Sequence, residues 1–380
     1  MADDRFEAYI REHSQQLHEL VVTLARIPAP TGKEERRAKY CMEWLLAHGA
    51  KETYMDAAGN VIYPYGESGN GPLIVFAAHM DVVFPDETEL PLAESDGRIC
   101  CPGIGDNTAN LAVLLMTAAY AAKYRPDTGK YGVLFVCDVG EEGLGNLKGA
   151  REICSVFGSR IRAFYGLDLT MDSYTCRAVG SLRYRVKVHT SGGHSYHCFG
   201  NTNANVVLAE LIVALYRLQV PENGKTTYNV GMISGGTSVN SIAQSAELLY
   251  EIRSDDASGL EEMRQRFEKT LENCRSACPE DCVLSAELIG ERPCECGVNQ
   301  KDRERLFEQV ERAVFAATGK VPVPEPVSTD CNIPLAMGIP SVCVGTCRGA
   351  GAHTREEYIE KDSVIQGLQV ALELLHDSVC

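Results

Sequence analysis

Residues 72–81 read PLIVFAAHMD, a short apolar run that ends in two polar side chains, His79 and Asp81. A second run of similar composition, GVLFVC, occupies residues 132–137. Short apolar runs rich in β-branched residues are typical of strands that are buried on both faces of a parallel sheet. Between the two runs, residues 108–124 are apolar almost all round, which predicts a helix buried against that sheet. The order strand, helix, strand therefore predicts an α/β domain.

The pattern changes near residue 180. Apolar and polar side chains alternate through residues 182–189 (LRYRVKVH), which predicts a strand with one covered face and one exposed face. The segments that follow are a helix at 203–218, strands at 227–233 and 246–253, a helix that begins with a capping box at 258–261, and a strand at 282–289. This order, βαββαβ, predicts a small α+β sandwich with one open face.

The α/β pattern resumes after this insertion, with a predicted helix at residues 301–318 and a buried strand at 339–345. We therefore predict a discontinuous first domain, residues 1–178 and 294–380, with a mainly parallel sheet. A second domain, residues 179–293, is inserted into it.

The overall charge excludes one class of partner. The 380 residues include 36 Lys and Arg against 52 Asp and Glu, a net charge of −16. We expect no nucleic-acid partner, because phosphate contacts need a basic surface. The longest apolar run, residues 110–122, is shorter than the roughly 18 residues that span a membrane. The first residues, MADDRF, lack the pattern of a signal peptide, so we expect a cytoplasmic protein without membrane contact.

The chain has 16 cysteines, which we expect to be mostly free, buried thiols in a reducing compartment. The densest group is Cys274, Cys278, Cys282, Cys294 and Cys296. Its spacings suit a structural zinc site poorly, and no CxxC pair occurs in the chain. The missing CxxC pattern also disfavours a thiol-based redox function.

Polar side chains suited to metal binding follow several of the predicted strands or lie in Gly-rich loops. They are His79 and Asp81 after the first strand, Asp106 in the loop before the buried helix, Glu141 and Glu142 after the second strand, Asp168 after a short apolar strand, and His353 in a Gly/Ala-rich loop. Each has a simpler interpretation when taken alone, such as a surface pair for His79 and Asp81 or a helix cap for Asp106. Open α/β sheets, however, place their ligands at the carboxyl ends of the strands, where these residues are expected to meet.

The composition of this set predicts its chemistry. Histidine and carboxylate ligands without thiolates suit zinc, manganese or cobalt. Adjacent carboxylates at the end of a buried strand, Glu141 and Glu142, repel each other unless cations lie close by. A carboxylate beyond the number needed as ligands is a candidate general base for activating water.

The ordered motifs of the chain resemble those of the M20 family of dinuclear metallopeptidases, which includes tripeptidase T, the glutamate carboxypeptidases, aminoacylase and succinyl-diaminopimelate desuccinylase. The resemblance spans nearly the whole chain. Its motifs lie at residues 27–34, 56–60, 79–81, 105–107, 140–143, 192–195, 235–240, 328–330, 338–340 and at His353. It implies that the inserted domain is a ferredoxin-like lid, which the family uses for dimerisation.

The resemblance also implies roles for the residues of the metal site. Asp106 would bridge two metal ions; Glu142 and His353 would complete the ligands of one, and His79 and Asp168 those of the other. Asp81 would orient His79, and Glu141 would accept a proton from the attacking water and pass it to the departing amine. The peptide bond between Asp106 and Asn107 is expected to be cis.

Three lid residues are implied to contact substrate. His194 would reach the partner's active site across the dimer and bind the substrate carbonyl group. Asn240 and Arg253 would bind the terminal carboxylate of the substrate, for which a forked guanidinium is well suited. A turn-stabilising histidine is the simpler interpretation of His194.

The resemblance favours metal-dependent hydrolysis of an amide bond in short peptides, as in a di- or tripeptidase or an aminopeptidase, with two divalent ions, zinc before cobalt or manganese. Relatives that act on free amino termini tend to have Asp at the position of Asp168, whereas deacylases and carboxypeptidases more often have Glu. The alternative is an N-acyl-amino-acid deacylase or a carboxypeptidase. A non-catalytic peptide-binding protein is disfavoured, because every candidate ligand, Glu141 and Asp81 are present.

Overall fold

The computed structural model describes residues 4–67 and 69–379. The chain forms two compact units. The large unit consists of Met1–Ala178 and Cys296–Cys380, and the inserted unit of Val179–Glu295.

The elements are numbered in chain order. The helices are α1 (Asp4–Ala25), α2 (Glu35–Ala47), α3 (Ala109–Tyr124), α4 (Lys148–Phe157), α5 (Ala204–Leu215), α6 (Ala257–Ala277), α7 (Gln300–Thr318), α8 (Asn332–Ala336) and α9 (Ser363–Val379). The strands are β1 (Tyr54–Met55), β2 (Val61–Tyr65), β3 (Leu73–His79), β4 (Ala93–Ser95), β5 (Arg98–Cys100), β6 (Gly132–Asp138), β7 (Ile161–Leu167), β8 (Ser173–Ala178), β9 (Gly180–His189), β10 (Gly193–His194), β11 (Thr226–Gly235), β12 (Ser241–Ile242), β13 (Ser245–Ser254), β14 (Val283–Arg292), β15 (Val323–Val327), β16 (Ser341–Val344), β17 (Gly349–Ala350) and β18 (Tyr358–Glu360).

A large sheet forms the centre of the large unit, with strand order β1-β2-β6-β3-β7-β16-β8-β15. Its middle strands β6, β3, β7 and β16 run parallel to one another. Antiparallel pairs lie toward the margins, where β1 pairs with β2, β2 with β6 and β16 with β8. This confirms the predicted α/β class with a mainly parallel sheet.

The central strands β3 and β6 are buried on both faces of the sheet, and their side chains alternate between two apolar layers. Phe76 and Phe135 belong to the layer that includes α1, α3 and α9, whereas Val75 and Leu134 belong to the layer that includes α4 and α8. Strands β3 and β6 are therefore apolar up to their last residues, as is typical of parallel strands that are covered on both sides. Within the described residues, no helix is long and apolar enough to cross a membrane.

The parallel strands end at a common edge. The last residues of β3, β6 and β7 are His79, Asp138 and Leu167, and the polar residues Asp81, Glu141 and Asp168 follow them closely. The sheet topology thus brings residues from distant parts of the sequence to one place, the usual position of ligand sites in open α/β sheets.

The inserted unit has a four-stranded antiparallel sheet of order β11-β13-β9-β14. One face packs against α5 and α6; Tyr184 of β9, for example, contacts Phe267 of α6 with ring centroids 4.3 Å apart. The other face carries ion pairs, such as Arg183 with Glu251 at 2.9 Å. The order of these elements and their antiparallel pairing are those of a ferredoxin-like α+β fold.

One local prediction was wrong. The capping box at residues 258–261 does not begin helix α6, because Asp256 is the N-cap and its side chain accepts the backbone N–H of Gly259 at 2.8 Å. The hydroxyl group of Ser258 instead donates to Asp256 at 2.5 Å. Asp and Ser are both preferred N-cap residues, and the helix begins after the earlier of the two, Asp256.

Candidate metal centre

His79 ends strand β3 and is fully buried beneath the edge of the sheet. Its Nδ1 atom lies 3.1 Å from the backbone carbonyl oxygen of Asp81 and 3.4 Å from the carboxylate of the same residue. Its Nε2 atom lies 3.2 Å from Asp106 Oδ1 and 3.8 Å from Asp168 Oδ1. With Nδ1 carrying the proton toward Asp81, Nε2 has a free lone pair that faces two carboxylates.

Asp106 lies in an irregular helical turn, Ile104–Thr108, that leads into α3. The turn needs Gly103, since its φ is +76° and a Cβ atom there would lie 2.4 Å from the side chain of Val82. The peptide bond between Asp106 and Asn107 is cis, which confirms that expectation. Asp106 does not cap α3, so the simpler interpretation of this residue is wrong.

The carboxylate of Asp106 is shared by two groups of candidate ligands. One group is His79, Asp106 and Asp168, and the other is Asp106, Glu142 and His353; in each group the ligand atoms lie within 4.8 Å of one another. Oδ1 of Asp106 faces His79, whereas Oδ2 lies 3.1 Å from Nε2 of His353. The same Nε2 lies 3.0 Å from Oε1 of Glu142. Two adjacent ligand sets that share one carboxylate are the arrangement of a dinuclear site.

These residues fit divalent cations. His79 Nε2 is buried, and it makes no hydrogen bond with the carboxylates that it faces. Burial acts to lower the pKa of His79, but the carboxylates of Asp106, Asp168 and Asp81 outweigh burial and raise it. Burial raises the pKa of Glu142. The three carboxylates of the two ligand groups, Asp106, Glu142 and Asp168, thus place excess negative charge at a largely buried site, and bound cations would neutralise it.

Asp81 joins the ends of β3 and β6. Its carboxylate accepts the backbone N–H groups of Glu141 at 3.1 Å and of Glu142 at 2.9 Å. It also accepts the hydroxyl group of Thr31 at 2.9 Å. Asp81 is fully buried, and these hydrogen bonds fix the backbone that carries the two glutamates. Its separate contacts with Nδ1 orient the imidazole of His79.

Two buried charged residues near the site were missed by the sequence analysis. The guanidinium of Arg37 donates to the carbonyl oxygen of Met80 at 2.7 Å, between the two residues that contact the centre. The carboxylate of Glu357 accepts three backbone N–H groups of the loop that carries Asp106. Burial raises the pKa of Glu357 to about 7, while these N–H groups oppose that rise.

The large unit contains a pair of buried carboxyl groups, Asp138 at the end of β6 and Asp330 shortly before α8. Asp138 and Asp330 are both buried, and their side chains interact with each other. Burial raises the pKa of Asp138 to about 6, and burial and the charge of Asp138 raise the pKa of Asp330. Two such groups in contact are expected to share a proton.

The structure brings together two of the three candidate residues of the inserted unit. His194 pairs with Ser241, and the backbone N–H of Ser195 donates to the carbonyl oxygen of Asn240 at 3.0 Å. Arg253 lies eight residues along β13 from Ser245, a distance of about 26 Å at the rise of a strand. Its guanidinium donates to Glu251 at 2.9 Å. Within one chain, Arg253 therefore does not lie beside His194 and Asn240.

Comparison with known proteins identifies the family of this chain. Residues 75–377 match the profile of the peptidase family M20/M25/M40. The chain is 24% identical over 343 residues to an acetylornithine deacetylase of Myxococcus xanthus, covering 83% of this chain and 84% of that protein.

Two solved structures share the fold. A tripeptidase of Staphylococcus aureus superimposes with a TM-score of 0.76 at 23% identity, covering 96% of this chain and 98% of that one. A dinuclear metal-binding peptidase of the M20 family from Bacillus subtilis, YxeP, gives a TM-score of 0.64 at 17% identity, with coverage of 96% and 98%. Because the family profile extends over most of the chain, the predicted resemblance is confirmed. The chain belongs to the peptidase family M20/M25/M40.

Proposed function

We propose that this protein hydrolyses an amide bond in short peptides with a free amino terminus and depends on two divalent metal ions. The observation that carries the proposal is the shared carboxylate of Asp106, which faces His79 with one oxygen and His353 with the other. His79, Asp106 and Asp168 would hold one ion, and Asp106, Glu142 and His353 the other.

Bound cations would polarise the scissile carbonyl group, stabilise developing negative charge and lower the pKa of water. Glu141 accepts the proton of the attacking water and returns it to the departing amine, so that the amine leaves neutral. The backbone N–H of Glu141 donates to the buried carboxylate of Asp81. This hydrogen bond fixes the position of Glu141, and Asp81 itself is not one of the proposed ligands. Asp81 also keeps the proton of His79 on Nδ1 and leaves Nε2 for the metal side.

The donor set supports zinc as the metal, because two imidazoles and three carboxylates are ligands that zinc accepts. Cobalt and manganese suit the same donors, and their relative activities are a matter for measurement. The lack of thiolates in either ligand group fits a catalytic site better than a structural zinc site.

The substrate class rests on Asp168 and on the structural neighbours. Asp at this position is typical of relatives that act on free amino termini, and the tripeptidase of Staphylococcus aureus shares the fold. The similarity to an acetylornithine deacetylase favours the second candidate, hydrolysis of an N-acyl amino acid.

The inserted unit supports roles in substrate binding for His194, Asn240 and Arg253. Nδ1 of His194 accepts the backbone N–H of Tyr196 at 3.2 Å, so the neutral imidazole carries its proton on Nε2 and can donate it to a carbonyl oxygen. The turn-stabilising interpretation is therefore compatible with substrate binding. The family resemblance implies that His194 reaches the active site of the partner subunit, and we propose that role here. Because Arg253 lies at the other end of β13 from Asn240, we propose that these two residues of one chain do not bind the same substrate carboxylate.

The inserted unit also offers a surface for the proposed homodimer. Val206 and Val213 of helix α5 expose about half of their surface, and β11 is an edge strand of the sheet with Met232 and Ile233 exposed. Exposed apolar side chains on a helix beside an unpaired strand edge are typical of protein–protein interfaces.

The test compares one tripeptide that has a free amino terminus with its N-acetylated form, using metal-free protein to which zinc, cobalt or manganese is added. We expect cleavage of the free peptide only, and only with metal. Cleavage of the acetylated form instead would assign the protein to the deacylase or carboxypeptidase type. Equal cleavage by a Glu141→Gln variant, or cleavage that persists in chelator, would refute the mechanism.

A further inference from the structure

Glu357 makes an unusual set of contacts with the loop that carries Asp106. Its Oε2 atom accepts the backbone N–H of Gly103 at 2.6 Å. Its Oε1 atom accepts the backbone N–H groups of Gly105 at 2.8 Å and of Asp106 at 2.9 Å. One side chain thus binds three N–H groups within four residues, across a sequence separation of about 250 residues.

Other hydrogen bonds hold the two ends of the loop: the backbone N–H of Ile104 donates to the carbonyl oxygen of Cys101 at 3.1 Å, and that of Thr108 donates to Gly103 at 3.2 Å. Asp106 has φ −114° and ψ 86°, outside the helical region, so the turn cannot rely on regular helical hydrogen bonds there. Gly105 allows the close approach of Glu357, since a Cβ atom at Gly105 would lie 3.2 Å from Oε1. At the centre of the loop, Glu357 accepts the backbone N–H groups of Gly105 and Asp106, next to the Asp106 carboxylate.

Glu357 is itself held rigidly. It precedes strand β18, which pairs with β5, and its carbonyl oxygen accepts the backbone N–H of Cys101 at 3.1 Å. The residue is 2% exposed, so its carboxylate is not free to exchange these partners for water. Charge-assisted hydrogen bonds to backbone N–H groups are stronger than neutral ones.

We propose that Glu357 is a positioning residue of the metal centre: it fixes the backbone of residues 103–106 so that one carboxylate, that of Asp106, serves both ligand groups. This inference rests on the proposed function, because it needs a dinuclear site. Glu357 does not belong to either ligand group, and it acts through the peptide N–H groups alone.

The test measures zinc affinity directly, by competition with a chelator on metal-free protein. The Glu357→Gln variant keeps the shape of the side chain but turns one acceptor into an N–H₂ donor that faces backbone N–H groups. We expect the dissociation constants for both zinc ions to rise about 10–100-fold, the usual effect of losing a partner of a metal ligand. The control is Glu360→Gln, an exposed glutamate on the same β18 strand, which should bind zinc like the wild type.

A second variant approaches the same contact from the other side. Gly105→Ala brings a methyl group against Oε1 of Glu357 and should also weaken zinc binding, and combining it with Glu357→Gln should add little. Urea unfolding of the metal-free variants measures their free energy of unfolding, which would fall if Glu357 only stabilised the fold. Lowered stability with zinc affinity unchanged from the wild type would overturn the proposal. If the wild-type protein bound no zinc, the proposed function itself would fail, a result distinct from failure of the Glu357 assignment.

Discussion

The carboxylate of Asp81 accepts the backbone N–H of Glu142 at 2.9 Å, so the residue that follows one strand of the sheet fixes a candidate ligand that follows its neighbour. The same carboxylate lies 3.4 Å from Nδ1 of His79, a candidate ligand of the other metal ion. Asp81 therefore connects the two halves of the site, although it belongs to neither group of candidate ligands. The parallel pairing of β3 with β6 is what places these residues side by side.

The Asp81→Asn variant should bind metal more weakly while it remains folded. Asparagine keeps one acceptor oxygen but loses the negative charge and one of the hydrogen bonds to Glu141, Glu142 and Thr31. We expect a loss of about 10–100-fold in metal affinity or in kcat/KM, measured by chelator competition and peptide hydrolysis. Asp127→Asn, at an exposed carboxylate that accepts one N–H group in a turn, is the control. Equal metal affinity in the two variants would rule out the role of Asp81.

Glu141 and Glu142 are adjacent in the chain but should respond differently to the same substitution. Glu141→Gln should reduce kcat by about 10²–10⁴-fold, since a general base contributes that much, while two metal ions remain bound. Glu142→Gln should weaken the binding of one of the two ions, because Glu142 belongs to a single ligand group. Metal content by elemental analysis, together with initial rates, distinguishes the two. Loss of a metal ion from the Glu141→Gln variant would show that the roles are exchanged or shared.

Much of this arrangement follows from local sequence patterns. His79, Asp106, Glu141 and Asp168 could be found because each comes after a buried strand or lies in a glycine-rich loop, where polar residues have few structural reasons to occur. The topology of a parallel sheet then predicts that they meet.

Glu357 could not be found in this way. It follows Glu356, an exposed residue of the same type, and only the long-range pairing of β18 with β5 distinguishes the buried carboxylate from the exposed one. Arg37 had a signal that was missed, because it lies on the buried stripe of α2 with Cys41 and Leu45 at a spacing of four. A charged residue in such a stripe indicates a satisfied buried charge.

The position of Arg253 shows another limit. The family resemblance implies that Arg253 binds substrate together with Asn240, but the length of β13 separates the two residues within one chain. Residues that a motif groups together need not lie together in one subunit, and sequence patterns alone do not show which residues a partner supplies.

The pair Asp138 and Asp330 should make the metal-free protein less stable as pH rises. Burial raises the pKa of Asp138 to about 6, above the roughly 3.9 of an unfolded Asp, so the folded state holds more protons between these values. Stability from this group is present at low pH and is lost as pH rises through the folded pKa. Asparagine does not titrate, so the free energy of unfolding of Asp138→Asn should increase relative to that of wild type as pH rises from about 4.5 to about 7, roughly the range set by these pKa values. Urea denaturation at several pH values measures this difference. A constant difference between the two proteins across this range would be inconsistent with a shared proton.

The proposed dimer can be tested at α5. Val206→Glu with Val213→Glu places two charges on the exposed apolar side of this helix and should produce monomers, measured by sedimentation velocity. Val156→Glu, at an equally exposed valine of α4 in the large unit, should leave the oligomeric state unchanged. A monomeric wild-type protein, or dimers in the doubly substituted protein, would exclude an interface on this face of the inserted unit.

The proposed dinuclear site depends on the shared carboxylate of Asp106, which can be tested by counting the metal ions that the protein binds. A calorimetric titration of metal-free protein with zinc should give two bound ions per wild-type chain. Asp168→Ala should retain one tight ion, because this residue belongs to one ligand group, whereas Asp106→Ala should lose tight binding of both. A single ion per wild-type chain, or an Asp106→Ala variant that still binds one ion as tightly as the wild type, would contradict a dinuclear site built on this carboxylate.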